Sequence, residues 1–379
     1  MNFLYVVLPL GLLAPLTIYV YILVKRIVTF AAPGRSKKWI RSISLLLAVL
    51  VMLPNIRAWK MYTILTILLL TFALLTDIVY FAIKKIREHR GCQPSLTWKK
   101  IFTFLLIPVI CTAVTVTAGY FNIKNIVETD YTVYSSKITS EAGYKIVMVS
   151  DLHMGIAMND AELKAACKRI EATKPDMVVL CGDLVDENTS KSEMEQAVKD
   201  LGAIKSTYGT FYIYGNHDDQ HYGFHKTFTT AQFERTMRDC NIQILKDRVC
   251  KLNGEFTIVG RLDKTYRDTH SSDRKSAAQM MSGVDKKSFV LLLDHQPIHL
   301  SQDNAAGYDL LLAGHTHAGQ IWPAGKLTGL VQKDALNFGY KKAGHLQVIV
   351  SAGISGWGFP VRTEKHSEYV IINIKPISK

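Results

Sequence analysis

Four long apolar stretches are the features that most constrain how this chain can fold. Each is close to the ~20 residues that carry an α-helix across the ~30 Å hydrocarbon core of a bilayer. Four such stretches with almost no ionisable residues argue against ordinary core helices. The sequence therefore predicts four transmembrane helices within residues 1–121, at 3–24, 40–56, 61–83 and 101–121.

The basic charge of the chain lies beside these stretches. Residues 1–130 hold 15 Lys and Arg against 4 Asp and Glu, which is +11 of the formal net charge of +13. The remaining residues carry only +2, so no basic groove for nucleic acid is expected on the soluble part. The lipid bilayer is the expected partner of the basic N-terminal region.

Loop charges predict an orientation. The loop after the first stretch carries five Lys and Arg with Arg41 just beyond it, and the loop after the third carries six, whereas the loop after the second carries only Arg57 and Lys60. Basic loops stay in the cytoplasm, so four crossings would place residues 125–379 on the extracytoplasmic side. The second stretch is the weakest, because Pro54 and Arg57 crowd its end. If it does not cross, the prediction reverses to the cytoplasm.

From residue 144 onward, short apolar strands repeatedly end in polar clusters. Nearly continuous apolar strands are buried on both faces, so other layers must cover each sheet. We predict an α/β fold with a central β-sandwich flanked by helices, including helices at 159–173, 191–205 and 229–240. Residues 122–143 are expected to be a juxtamembrane connector and 144–379 the catalytic domain. The strand ends carry Asp151, Asp183, Asn216, His295 and His315.

The six cysteines form no CxxC pair, which argues against a zinc knuckle or a redox motif. Cys240 and Cys250 could form a disulfide if the domain faces an oxidising compartment. Spacing alone leaves their state open.

Five short motifs follow one another along the soluble part, each at a predicted strand end. They are DLH (151–153), GDLVDE (182–187), GNHDD (215–219), DHQP (294–297) and GHTHAGQ (314–320). Together they resemble the calcineurin-like metallophosphoesterase superfamily, which implies a four-layer αββα fold. The extended GHTHAGQIWP block and the apolar N-terminal region resemble the YkuE/YaeI-type, envelope-associated branch. Ala318 departs from that branch, which usually has Gly there.

The resemblance implies two divalent cations, Mn, Zn or Fe, held by mixed imidazole and carboxylate ligands. Asp183 would bridge them, since a carboxylate between two cations relieves their repulsion. Glycines behind the ligands (Gly182, Gly215 and Gly314) would let the backbone turn sharply. The ligands implied are Asp151, His153 and His317 for the first ion and Asn216, His295 and His315 for the second.

The resemblance also implies catalytic roles. His217 would face the substrate, where it would stabilise the developing charge or protonate the leaving alkoxide, and Asp218 would orient it. A metal-bridging hydroxide would be the nucleophile, so no covalent phosphoenzyme is expected. Arg362 is a candidate ligand of the substrate phosphate, and Asp186 and Glu187 are expected to brace the second motif's loop.

The function predicted is a membrane-anchored phosphoesterase acting on a phosphodiester or a lipid-linked phosphoester. One alternative is a UDP-sugar-lipid pyrophosphohydrolase, which related enzymes perform on the cytoplasmic side. Another is a metal-binding membrane sensor or scaffold without turnover. His217 and Asp218 argue against a scaffold, because retaining a metal does not require them.

Overall fold

The computed structural model describes residues 3–56, 60–93, 95–266 and 273–377. The chain divides into two compact units, residues 1–118 and 119–379. The first unit is helical, and the second contains two β-sheets with helices around them.

The N-terminal helices match the predicted apolar stretches closely. They are α1 (Phe3–Ala31), α2 (Lys37–Met52), α3 (Met61–His89), α4 (Leu96–Thr103) and α5 (Leu106–Lys124). Four helical segments in the described residues are long and apolar enough to cross a membrane: Leu13–Ala31, Lys37–Ile56, Met61–His89 and Leu106–Lys124. The fourth begins later than predicted, because α4 ends at Thr103 and Leu105 takes a positive φ of 58° before α5 starts.

A polar contact lies within the first unit. Asp77 on α3 accepts hydrogen bonds from the guanidinium of Arg26 at 2.7 Å and from the hydroxyl of Tyr19 at 3.0 Å. Both partners come from α1, so the acidic side chain of an otherwise apolar helix is paired with the neighbouring helix. Pairing of this kind is what makes an ionisable group tolerable in such a segment.

Two six-stranded sheets form the centre of the second unit. The first has the order β1 (Ile126–Ser135), β12 (Ser367–Pro376), β2 (Tyr144–Val149), β3 (Met177–Cys181), β4 (Thr210–Ile213), β5 (Ile242–Ile244). The second has the order β10 (Gly339–Ala343), β11 (Leu346–Val350), β9 (Leu310–Ala313), β8 (Phe289–Leu293), β7 (Phe256–Gly260), β6 (Arg248–Lys251).

The stretch expected as a connector, residues 122–143, contains strand β1. Its ten residues pair in parallel with β12, from Ile126 opposite Ser367 to Ser135 opposite Pro376. Only Asn125 separates β1 from the end of α5. The expected connector is therefore wrong for residues 126–135, because pairing with the last strand of the chain draws them into the sheet.

The core has three apolar layers, as the four-layer prediction requires. Residues such as Val179 and Phe211 from the first sheet meet Phe289 and Leu291 from the second. The outer face of the first sheet packs on helices α6 (Asp160–Ala172), α7 (Lys191–Gly202) and α8 (Thr230–Asp239). The outer face of the second packs on α9 (Ala277–Met280) and α10 (Leu300–Ala306). Strand β3 is buried along its whole length, which explains its unbroken apolar sequence.

The predicted helices are present as α6, α7 and α8. The predicted capping box at Asn159 and Glu162 is formed, because each side chain accepts a backbone N–H of the other residue. A further helix, α11 (Ala324–Val331), follows the last motif. Cys240 and Cys250 are both free thiols.

Candidate metal centre

The strand ends bring the motifs to one place. In the first sheet the adjacent parallel strands β2, β3 and β4 are followed by Asp151, Asp183 and Asn216. In the second sheet the adjacent parallel strands β8 and β9 are followed by His295 and His315. Parallel strands share a carboxyl edge, where ligand sites form in α/β sheets. This shared edge explains why five distant motifs meet.

The backbone turns sharply at the implied ligands. Positive φ angles occur at Asp151 (55°), His153 (42°), Asp183 (54°), His315 (72°) and His317 (49°). For residues other than glycine, this conformation costs of order 1–2 kcal/mol and is concentrated at functional sites. The rest of the domain therefore supports a backbone geometry that aims these side chains inward.

Asp151, His153 and His317 form the first cluster. Their ligand atoms all lie within 4.8 Å of one another, and Oδ1 of Asp151 is 3.6 Å from Nε2 of His317. Within the described residues, Oδ2 of Asp151 and Nε2 of His153 are buried without a hydrogen-bond partner. Buried polar atoms normally have partners, and a cation would satisfy these converging donor atoms.

Asn216, His295 and His315 form the second cluster. Oδ1 of Asn216 is 2.8 Å from Nδ1 of His315. Nδ1 of His295 donates to the carbonyl of Cys181 at 2.7 Å, and its Nε2 lies on the side of Asp183. Neighbouring ligands of one cation lie roughly 3 Å apart when each bond is about 2.1 Å long, so the observed separation fits a shared ion.

Asp183 lies between the two clusters. Its Oδ2 is 3.1 Å from Nε2 of His295 and 3.5 Å from Nε2 of His153. Its Oδ1 accepts the backbone N–H of His217 at 2.9 Å, which fixes the carboxylate. The residues fit two divalent cations of the type that imidazole and carboxylate bind together, and the position of Asp183 matches the bridging role that the motifs imply.

The buried groups of this centre shift one another's pKa values in both directions. Burial lowers the pKa of His295, but the carboxylate of Asp183 outweighs it and holds that pKa well above its usual value. Burial and the charge of His295 lower the pKa of His315 to about 4. Burial and the neighbouring His153 hold the pKa of His317 well below its usual value. Burial opposes ionisation of Asp183, but His295 and His217 hold its pKa well below the usual range. Neutral imidazoles and an ionised carboxylate are the forms that bind metal.

His217 lies beside the clusters and is paired with a carboxylate. Its Nδ1 is 2.8 Å from Oε1 of Glu187, and its ring centroid is 5.1 Å from that of His153. Burial lowers the pKa of His217, but the carboxylates of Asp183 and Glu187 outweigh it and raise that pKa to about 9. Donation from Nδ1 to Glu187 leaves Nε2 on the far side of the ring from that carboxylate.

Asp218 does not orient His217, contrary to the prediction. Its carboxylate accepts the backbone N–H groups of Asp183, Leu184, Val185 and Gly215, at 2.7–3.2 Å. These bonds tie the loop after β3 to the loop after β4, so Asp218 holds the two loops together. Glu187 is the carboxylate that pairs with the imidazole of His217. Glu187 is the last residue of the motif GDLVDE. The spacing of the motif does not show whether this carboxylate braces its own loop or pairs with His217.

Arg362 is not placed to meet a substrate phosphate, which corrects that prediction. The side chain is fully buried. Its guanidinium donates to the backbone carbonyls of His317, Ala352 and Ser355, at 2.6–3.0 Å. Each of these three carbonyls accepts a strong, charge-assisted hydrogen bond from the guanidinium. Arg362 therefore fixes the backbone behind His317.

The glycines next to the ligands serve two purposes. Gly182 takes a φ of +83°, as expected for a sharp turn. A side chain at Gly215 would place its Cβ 2.1 Å from Oδ1 of Asp183, and one at Gly314 would place it 2.3 Å from Oδ2 of Asp151. At these two positions, the requirement is space for the carboxylates.

Comparisons with known proteins agree with this picture. Residues 144–319 match the family model described as calcineurin-like phosphoesterase. A Helicobacter pylori protein named "Uncharacterized metallophosphoesterase" is 32% identical over 64% of this chain and 62% of its own length. A Danio rerio "Transmembrane protein with metallophosphoesterase domain" is 27% identical over 62% of this chain and 53% of its own.

The branch suggested by the motifs is also represented. The Bacillus subtilis "Uncharacterized metallophosphoesterase YkuE" is 25% identical over 68% of this chain and 88% of its own length. The resemblance inferred from the five motifs is confirmed. The chain spans about three fifths of the length of the Helicobacter relative.

Proposed function

Because this chain carries a calcineurin-like phosphoesterase domain, we propose that it is a membrane-anchored phosphoesterase with two divalent cations. Its substrate would be a phosphodiester or a lipid-linked phosphoester. The observation that carries the proposal is the position of Asp183, whose Oδ2 lies within 3.5 Å of an imidazole from each cluster. A single carboxylate between two sets of ligands is the arrangement that a pair of cations needs.

When bound, the two cations would polarise a phosphate oxygen and supply a hydroxide nucleophile at neutral pH. The chain's own residues then handle the leaving group. Glu187 holds the Nδ1 proton of His217, so Nε2 is the atom that would donate a proton to the departing alkoxide. A scaffold that only bound metal would not need this pair, which favours turnover.

The surroundings of His217 suit a substrate with an apolar part. The rings of Tyr222 and Trp357 lie 5.1 and 5.5 Å from the imidazole of His217, and Phe224 nearby in sequence is 97% exposed. Aromatic side chains offer a large apolar contact area. Four apolar helices that could anchor the chain in a bilayer further favour a lipid-linked phosphoester over a soluble one.

General acid catalysis by His217 gives the sharpest test of function. The full-length protein in nanodiscs would be assayed with Mn²⁺ on a p-nitrophenyl phosphodiester and on the matching alkyl phosphodiester. p-Nitrophenolate leaves without protonation, so His217→Ala should reduce its release by about tenfold and alkoxide release by about 10²–10⁴-fold. Bound metal, measured by mass spectrometry, should stay at the wild-type level. Equal losses on both esters would rule out the acid role.

We also propose that the catalytic domain faces the extracytoplasmic side, on the basis of the basic first and third loops. Alkaline phosphatase fused after Lys379 should be active, and a fluorescent protein in the same position should not. The opposite result would place the domain in the cytoplasm. It would then favour the pyrophosphohydrolase alternative, for which UDP-sugar lipids would be the substrates to assay.

A further inference from the structure

Helix α11 and the tryptophan before it form an exposed apolar surface, which we call the α11 patch. It consists of Trp322, Leu327, Leu330 and Val331, with 59%, 58%, 77% and 81% of their surfaces exposed. We propose that the α11 patch is an interfacial anchor that lies on the anionic headgroup region of a bilayer. The inference rests on the proposed membrane anchoring, because it uses the end of α5 as its reference point.

The patch is connected to the end of the fourth candidate span. The backbone N–H of Trp322 donates to the hydroxyl of Thr363 at 2.9 Å. The next residue back, Arg362, donates its backbone N–H to the carbonyl of Gly119 at 3.0 Å. Asn122 donates to the carbonyl of Lys365 at 2.6 Å. One short stretch, residues 362–365, thus joins the start of the patch to residues 119–122 of α5.

The end of α5 has the composition of a membrane interface. Tyr120 is 45% exposed and Phe121 is 67% exposed. Exposed aromatic residues at the end of an apolar helix are typical of the headgroup level, where Tyr and Trp concentrate. Trp322 would extend this aromatic belt from the span to α11. Because the span ends at Lys124, a surface joined to residues 119–122 would lie near the level of the headgroups.

Charge points to an anionic lipid surface. Helix α11 contains Lys326 and no acidic residue, and Lys333 follows two residues after its end. Asp334, the nearest acid after the helix, is held by the backbone N–H and hydroxyl of Ser301, at 2.9 and 2.6 Å. Basic residues near an anionic membrane are attracted to its surface. Exposed leucines with adjacent lysines are the pattern of an interfacial helix.

Site-specific photo-crosslinking tests where the patch lies. Benzoylphenylalanine would replace Leu330 in the full-length protein, which would be reconstituted in nanodiscs rich in phosphatidylglycerol. The control position is Glu195, an exposed residue of α7. Irradiation should attach lipid at position 330 and not at position 195, as read by mass spectrometry. Attachment to a second copy of the chain, or to no molecule, would overturn the proposal.

Changing the charge of the lipid tests whether the α11 patch prefers an anionic surface. In phosphatidylcholine nanodiscs the crosslinking yield at position 330 should fall about fivefold, and an equal yield would overturn the anionic preference.

Leu330→Asp should raise the KM for a phosphoester lipid in vesicles by about tenfold, with kcat for a soluble p-nitrophenyl diester unchanged. An unchanged KM would count against the anchor. Crosslinking needs no hydrolysis, so it tests the anchor even if the proposed enzymatic function fails.

Discussion

The two ligand clusters differ in charge. The first uses the carboxylate of Asp151 together with His153, both fully buried. The second uses the neutral amide of Asn216 at the corresponding place. With the shared Asp183, the first cluster offers two carboxylates and the second offers one. A divalent cation at the first cluster would therefore be attracted more strongly.

The clusters also differ in how their imidazoles are held. In the second cluster Nδ1 of His295 donates to the carbonyl of Cys181 at 2.7 Å, which fixes the orientation of the ring. In the first cluster Nδ1 of His153 lies 3.5 Å from Oδ2 of Asp186, a longer contact. The imidazole of His295 is thus held more tightly by the fold than that of His153. We infer that the two ions bind unequally, for different physical reasons.

The largest effect is expected from removing the carboxylate that both clusters share. Without it neither cluster should hold an ion, so the difference in affinity between them should disappear. Asp183→Asn removes the only charge that both clusters use, so both ions should be lost together. Without them the rate should fall by about 10³-fold or more, which corresponds to about 4 kcal/mol. Metal content by mass spectrometry and turnover of a p-nitrophenyl diester measure both effects.

The matched control for this variant is Asp130→Asn on strand β1, an exposed carboxylate of the same sheet. It should keep both ions and full activity. If Asp183→Asn retained one ion, Asp183 would belong to one cluster alone.

That these residues meet at one place was predictable from sequence, because their positions follow a simple geometric rule. Asp151, Asp183, Asn216, His295 and His315 each follow a short apolar strand, and parallel strands share one carboxyl edge. The four-layer fold followed from the same strands, since apolar residues on both faces demand cover on both sides. Neither prediction required the order of the strands in the two sheets.

The supporting residues depend on tertiary contacts that no local pattern encodes. Glu187 rather than Asp218 pairs with His217 because the loops after β3 and β4 are tied together by the Asp218 carboxylate. Arg362 is held by backbone carbonyls 7, 10 and 45 residues away. Strand β1 forms by pairing with β12, from Ile126 opposite Ser367 to Ser135 opposite Pro376. These partners follow no local sequence pattern, so only the folded structure reveals them.

Exchanging charge between the clusters should sharpen the contrast. Asp151→Asn leaves the first cluster with Asp183 as its only carboxylate, and Asn216→Asp gives the second cluster a second one. The first variant should bind one ion instead of two, and the second should bind its weaker ion about tenfold more tightly, about 1.4 kcal/mol. Calorimetric titration with Mn²⁺ resolves the two sites. Equal affinities in the wild type would contradict the proposed inequality.

Variants of Glu187 and Asp218 should affect different properties, the first the catalytic rate and the second the stability of the fold. Glu187→Gln keeps the shape but weakens the charged partner of His217, so kcat should fall about tenfold or more while metal content and Tm stay unchanged. Asp218→Asn turns an amide N–H toward backbone N–H groups and should lower the free energy of unfolding by about 1–3 kcal/mol. Turnover and thermal melting distinguish them. A lower Tm in Glu187→Gln would show that Glu187 only braces its loop.

The smallest effect should come from the loop that serves both clusters. This loop carries His315 to the second and His317 to the first, and Ala318 follows with a φ of 52° and almost no exposure. An alanine in the left-handed conformation costs the folded state about 1–2 kcal/mol. Glycine would avoid this cost, but its more flexible unfolded chain would cancel part of the gain in stability. Ala318→Gly should therefore raise the free energy of unfolding by up to about 1 kcal/mol, measured by urea denaturation, with both metal affinities unchanged. A selective loss of either ion would show that the alanine methyl helps to position one imidazole, and that the loop does not support the two clusters equally.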